Sequence, residues 1–192
     1  MKIITALFFG LMLAVTPSAL HAQVQNGAYK IDKITPTFVN TPEYQAGSMI
    51  HQEPNPAGKW LEVEVQFESK VDLTDELTIK YYVLINNILV TGDVTHVDVP
   101  KGRELYSVMY MSPRTLTRLL ANRTATPDVI GDIGVQILVK GQAVAELSTK
   151  TGYAQGWWAS MQQTAGLLVN KNQTPFAPLY WDRYEAIKPT DH

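Results

Sequence analysis

Between Leu61 and Phe67 apolar residues alternate with Glu62, Glu64 and Gln66. This period of two turns one side of a strand to a core and the other to water. The rhythm returns at Leu77, Ile79, Tyr81, Val83 and Ile85, where Tyr82 and Leu84 make the opposite side apolar too, so this strand is expected to be central. Asn86-Asn87 interrupts it, and asparagine tolerates the left-handed backbone that a tight hairpin demands. A return strand is therefore predicted over 88–99, with Gly92-Asp93 as a candidate bulge and Pro100-Lys101-Gly102 as its end. Further strands are predicted over 28–38, where Pro36 confines the end to an edge, and over 104–111. Two more, 132–140 and 143–149, are joined by a turn at Lys140-Gly141-Gln142.

One helix signal falls among the strands. Ser112 is suited to cap a helix, Pro113 to its first position, and Leu116, Leu119 and Leu120 recur at helical spacing, which predicts a short lid over 113–122. The polar loop 123–128 follows it. Past residue 151 the pattern changes. Trp158, Met161, Ala165 and Leu168 repeat at helical spacing and predict a helix over 157–169. Phe176 to Tyr184 is then an aromatic-dense tail, too apolar to be left in water. About seven strands with turn signals every ten or so residues predict an all-β, immunoglobulin-like β-sandwich with one short inserted helix and a C-terminal helical and aromatic extension. A small closed barrel and a β-rich α+β domain are the alternatives.

The start of the chain adds a destination. Met1-Lys2, an apolar run from Ile3 to Val15, and Pro17 to Ala22 read as a cleaved secretory signal over 1–22, because the run is too short to span a bilayer comfortably. Residues 23–151 are then the sandwich and 152–192 an extension packing on or beside it. Export to the periplasm, outer membrane or cell surface is the expected localisation, with no membrane span after cleavage. The chain has no cysteine, so no disulfide can staple it, and its size permits a core that needs none. A net charge of −2 without any basic run argues against nucleic acid as a partner.

Candidate chemistry is sparse. His51, His96 and His192 are the histidines past the signal, and none has a second histidine at ligand spacing, which makes solvated or half-buried roles the expectation and leaves no metal site. There is no nucleophile elbow, calcium loop, phosphate loop or dinucleotide fingerprint, and hence no cofactor site or catalytic residue. Lys150-Thr151-Gly152 matches one box of the penicillin-binding enzymes, but no S-x-x-K supplies a nucleophile. The carboxylates Glu62 with Glu64, and Asp72 with Asp75 and Glu76, are expected on solvated faces.

The aromatic cluster of Trp157, Trp158, Phe176, Tyr180, Trp181 and Tyr184 admits two readings. It packs back on the sandwich to close a groove or an open sheet edge, or it is exposed as a partner-binding surface. The run Thr174 to Glu185, with the Trp157-Trp158 pair and the N-terminal signal, resembles a small family of exported verrucomicrobial proteins encoded beside type IV pilus-type genes and described as immunoglobulin-like. That resemblance implies a non-enzymatic role in a pilus-like or cell-surface assembly, through protein partners of the cell envelope. A carbohydrate- or mucin-binding module, stacking sugars on exposed Trp and Tyr, is the alternative.

Overall fold

The computed structural model describes residues 27–44, 58–121, 123–150, 156–180 and 182–189. The expected signal 1–22, His51, Trp181 and His192 lie outside them. In chain order the strands are β1 (Tyr29–Val39), β2 (Trp60–Ile85), β3 (Ile88–Met111), β4 (Ile130–Val139), β5 (Gln142–Ser148), β6 (Gln163–Ala165) and β7 (Val169–Asn170), with the helix α1 (Pro113–Leu120) after β3. The fold is mostly β and sandwich-like, as expected, and none of its described helices is long and apolar enough to cross a membrane.

Two pairs of predicted strands are fused. Segments 61–68 and 77–85 form one strand, β2, and 88–99 continues through Pro100-Lys101-Gly102 into 104–111 as β3. Pro100 does not end the strand because it falls where the ladder is already irregular: the register shifts between Phe67, Ser69 and Leu73 of β2, opposite Gly102 and Pro100. An irregularity of this kind bends a ribbon and increases its twist. The bend doubles the hairpin back on itself. Its tip carries Asn86 and Asn87, both with positive φ as the turn predicts, and Asn86 Nδ2 donates to the Leu119 carbonyl 3.1 Å away, beside the hairpin's open end. Tyr81 likewise donates to Ser107 Oγ at 2.7 Å, although the two are far apart on the ladder.

Each half of the ribbon recruits its own neighbours. The first half lies between β1 and β7, and the second continues the order β5-β4-β2-β3-β6. β1 packs against β4 and β5, which brings the two layers together on that side. Between them Leu61, Val63, Val65, Phe67, Leu77, Ile79, Val83 and Ile85 are wholly buried. At roughly 2 kcal/mol per buried aliphatic or aromatic side chain, this row is the main source of stability. The lid forms as predicted, two residues shorter: Thr115 N–H donates to Ser112 Oγ at 3.3 Å, Ala121 ends α1 in the left-handed region, and Leu116, Leu119 and Leu120 are buried.

Two further expectations fail. Gly92-Asp93 is not a bulge, since the ladder runs regularly through both; Gly92 is required because a Cβ there would meet Leu168 Cβ at 2.7 Å. No helix spans 157–169. A single 3-10 turn at Trp157–Ser160 is followed by β6, paired in parallel with Leu89 to Thr91, and by a left-handed Gly166. Pairing with an open sheet edge has overridden a local helical spacing.

Candidate functional site

The C-terminal extension decides what the surface looks like, because it covers the outer edge of β3. β6 pairs with Leu89 to Thr91, β7 pairs with Met109 and Tyr110, and the tail fills the space between. There Val97 N–H donates to the Ala186 carbonyl at 2.9 Å, Lys188 N–H to Thr95 at 2.8 Å, and Glu185 N–H to Tyr106 at 3.1 Å. An open edge would offer these groups to another chain. His96 anchors the tail from inside. It is 1% exposed, Ser107 Oγ lies 2.7 Å from Nε2, and the Glu185 carbonyl lies 3.0 Å from Nδ1. The carbonyl only accepts, so Nδ1 carries the proton, and the chain runs from Tyr81 O–H to Ser107 O–H to Nε2. Burial pulls His96 down from 6.5 to about 4, so the ring is neutral. The expectation of a solvated or half-buried His96 is therefore corrected. Its apparent Ser–His pairing offers no nucleophile to a substrate, since Ser107 is wholly buried and already engaged.

The sequence-selected aromatics fall into two groups. Trp158, 3% exposed, stacks on Tyr82 with ring centres 4.7 Å apart and meets Trp157 edge-on at 5.6 Å. Trp157, 9% exposed, donates from Nε1 to Ser148 Oγ at 3.1 Å. This pair covers the outward apolar residues Tyr82, Leu84 and Leu89, which explains why that strand is apolar on both sides. Gly134 makes the seat: a Cβ there would lie 2.3 Å from the Trp158 ring. On the other half Phe176, 5% exposed, stacks on Tyr110 at 4.6 Å and meets Trp60 edge-on. Tyr184 is half-buried in this second group, Tyr180 is 60% exposed, and Trp181 lies outside the described residues.

Glu62 and Glu64 are not on an open solvated face. The extension lies over them and leaves a groove of about 460 Å³, also lined by Val39, Pro42, Leu179 and Tyr180. Arg183 holds Glu64 with two bonds, 2.9 Å from Nε and 2.8 Å from Nη2, and Tyr184 O–H adds a third at 2.9 Å. These donors pull the Glu64 carboxyl below its usual range. The Arg183 guanidinium also sits 4.2 Å from the centre of the Tyr106 ring. Glu62 accepts one bond from Tyr110 O–H at 2.9 Å, and burial, with the neighbouring Glu64 charge, pushes its carboxyl up. By contrast Asp72 is exposed as expected, with a 3.3 Å contact to Lys101.

Sequence reasoning missed Trp60, Tyr106, Tyr110 and Lys171, which complete the site. Lys171 is buried, donates to the Ala177 carbonyl at 2.7 Å, and has its ammonium pKa lowered by that burial. Their only sequence signal is the even spacing of Tyr106 and Tyr110, four residues apart on one strand and so on the same face. Tyr180 is one of six non-glycine residues with positive φ among those described, and the one that lines the groove. Its φ of 51° is left-handed, which costs a non-glycine residue about 1–2 kcal/mol. Among the described residues no group of three His, Asp or Glu is placed to hold a metal ion.

The model of one protein family matches residues 20–191, nearly the whole chain. The chain belongs to that family. A crystal structure of a protein from Akkermansia muciniphila matches with a TM-score of 0.71 and 24% identity, over 85% of this chain and 94% of that one. At that identity the likeness shows a shared fold, and it meets the expected similarity to verrucomicrobial proteins in that respect. No curated protein matches.

Proposed function

We propose that this chain is an exported, non-catalytic interaction protein, an accessory to a pilus-like or cell-surface assembly. The observation that carries the reading is the exposed, conformationally strained Tyr180 at the mouth of a groove that the C-terminal extension builds on β2. Tyrosine is among the residues enriched at interface hot spots, and backbone outliers cluster at ligand clamps. The buried polar groups are, in contrast, spent on one another: His96 on Ser107 and Glu185, and Asp132 on Ser148, Thr149 and two backbone N–H groups. The partner-binding role considered for the whole aromatic cluster thus rests on Tyr180 and Tyr184, while Trp157, Trp158 and Phe176 serve the packing that positions them. A sugar-binding module that stacks on Trp157 and Trp158 is disfavoured by the burial of both rings.

The test is affinity purification of the full-length protein, tagged and crosslinked in the cell envelope, against a tagged exported control. Enrichment of pilus-type assembly components supports the reading. Their consistent absence, with glycans recovered instead, overturns it.

A further inference from the structure

We infer that the groove between Glu62 and Tyr180 receives a lysine or arginine side chain presented by a partner polypeptide. This deepens the reading of the chain as an interaction protein and rests on it. The two carboxylates of the groove stand two residues apart on one side of β2, yet their situations differ. Glu64 has both oxygens occupied by Arg183 and Tyr184. Glu62 has one phenol and no cation: the ion pairs among the described residues join Lys30 to Asp32, Lys101 to Asp72, Arg183 to Glu64 and Lys188 to Glu76. Arg183 is committed to Glu64 and reaches Glu62 only through its longer-range charge, and Lys171 is spent on the Ala177 carbonyl, so no ion pair closes on Glu62 in the half-buried wall.

A charge in that position is costly until a cation meets it. The other walls say what must accompany the cation. Val39, Pro42 and Leu179 are apolar and Tyr180 presents a ring, which suits the methylene stem of lysine or the stem and flat head of arginine. The charged head would reach Glu62 while the stem crosses Tyr180, as a cation–π contact requires. The left-handed backbone of Tyr180 opens a turn in which its carbonyl accepts from Arg183 N–H at 3.2 Å, and it leaves the exposed ring at the groove mouth. Sugar hydroxyls would fill the space without cancelling the charge, which is why a basic segment is favoured over a glycan. The volume exceeds one side chain, so residues flanking the basic one are expected to lie in the groove as well.

The experiment is a fluorescence anisotropy titration of the full mature chain with a labelled heptapeptide alternating arginine and leucine. A peptide with glutamine for arginine, and chito-oligosaccharide as competitor, run beside it. The expected result is saturable binding of the arginine peptide that weakens with salt, falls about tenfold or more in Glu62→Gln, and falls several-fold in Tyr180→Ala. Tyr180→Ala should melt with the wild type, and Glu62→Gln at the same temperature or above it, since glutamine keeps the Tyr110 bond and removes a charge held half-buried. Equal affinity of Glu62→Gln, equal binding of the glutamine peptide, or sugar binding with no peptide binding would each overturn the inference. Envelope capture with Glu62→Gln separates the two levels. Unchanged capture of the same assembly components means the groove inference fails while the interaction reading stands; peptide binding without any captured protein means the reverse.

Discussion

Acidification weakens the hold of His96 on the tail. The ring is closed in by Ser107, Tyr81 and the Glu185 and Ala186 backbone, and every hydrogen-bond position is filled only when it is neutral. No carboxylate bonds to it, so burial governs and lowers it from 6.5 to about 4. Below pH 6.5 an unfolded chain takes up a proton that the folded one refuses. The stability contributed by neutral His96 is therefore complete above 6.5 and is lost as pH falls toward 4. At about 1.4 kcal/mol per pH unit the whole window carries roughly 3 kcal/mol. Nearby carboxyls complicate the total. Glu62 and Glu185 are raised by burial, so they lend stability at low pH that is lost as pH rises, whereas Glu64 is lowered and acts in the same direction as His96. Comparison with His96→Gln cancels these shared contributions. Urea unfolding from pH 7.5 to pH 4 should show the wild type ahead at neutral pH and its lead shrinking by about 2–3 kcal/mol on acidification. The protection of the Val97 and Lys188 amides, taken relative to intrinsic exchange at each pH, should fall over the same interval, since both N–H groups bond across the tail. Parallel stability curves for the two proteins would refute the reasoning.

Three further outcomes follow from packing. Gly134→Ala should cost about 1–3 kcal/mol in thermal unfolding, because the added methyl meets the Trp158 ring, and should cost much less in a Trp158→Ala background. Asp132→Ala should cost about 3 kcal/mol, since the carboxylate is 1% exposed and accepts from Ser148, Thr149, and the Ile133 and Lys150 amides. A double-mutant cycle between Arg183→Ala and Glu64→Gln should return a coupling of only about 0.5–1 kcal/mol, because Arg183 is 43% exposed, and it should vanish in high salt.

Local rules carried the strands a long way. Alternation from Leu61 to Phe67, the Asn86-Asn87 turn and the Ser112-Pro113 cap are settled by residues close in sequence, and each formed where its pattern places it. What local rules missed depends on the extension. Glu62 and Glu64 have the spacing of a solvated strand face and become groove walls only when Phe176, Leu179 and Tyr184 settle over them. His96 alternates like any strand residue and is buried by a tail whose contacting residue, Glu185, lies 89 positions later. The helical spacing of Trp158, Met161, Ala165 and Leu168 is real, yet the unpaired edge of β3 offers that segment ladder bonds instead. Pro100 ends a strand in isolation but not at a bend where the register already shifts. The signal at 1–22 and Trp181 fall outside the described residues, so the structure neither adds to nor subtracts from them.

The proposed working surface is the groove mouth beside the tail. Its most direct test places a photo-reactive phenylalanine analogue at Tyr180 in the living cell, with the equally exposed Leu73 as control. Ultraviolet light should join position 180 to a protein of the cell envelope, with adducts lost in Glu62→Gln and absent at position 73. Adducts of equal yield at both positions, or none at 180 while 73 reacts, would contradict it.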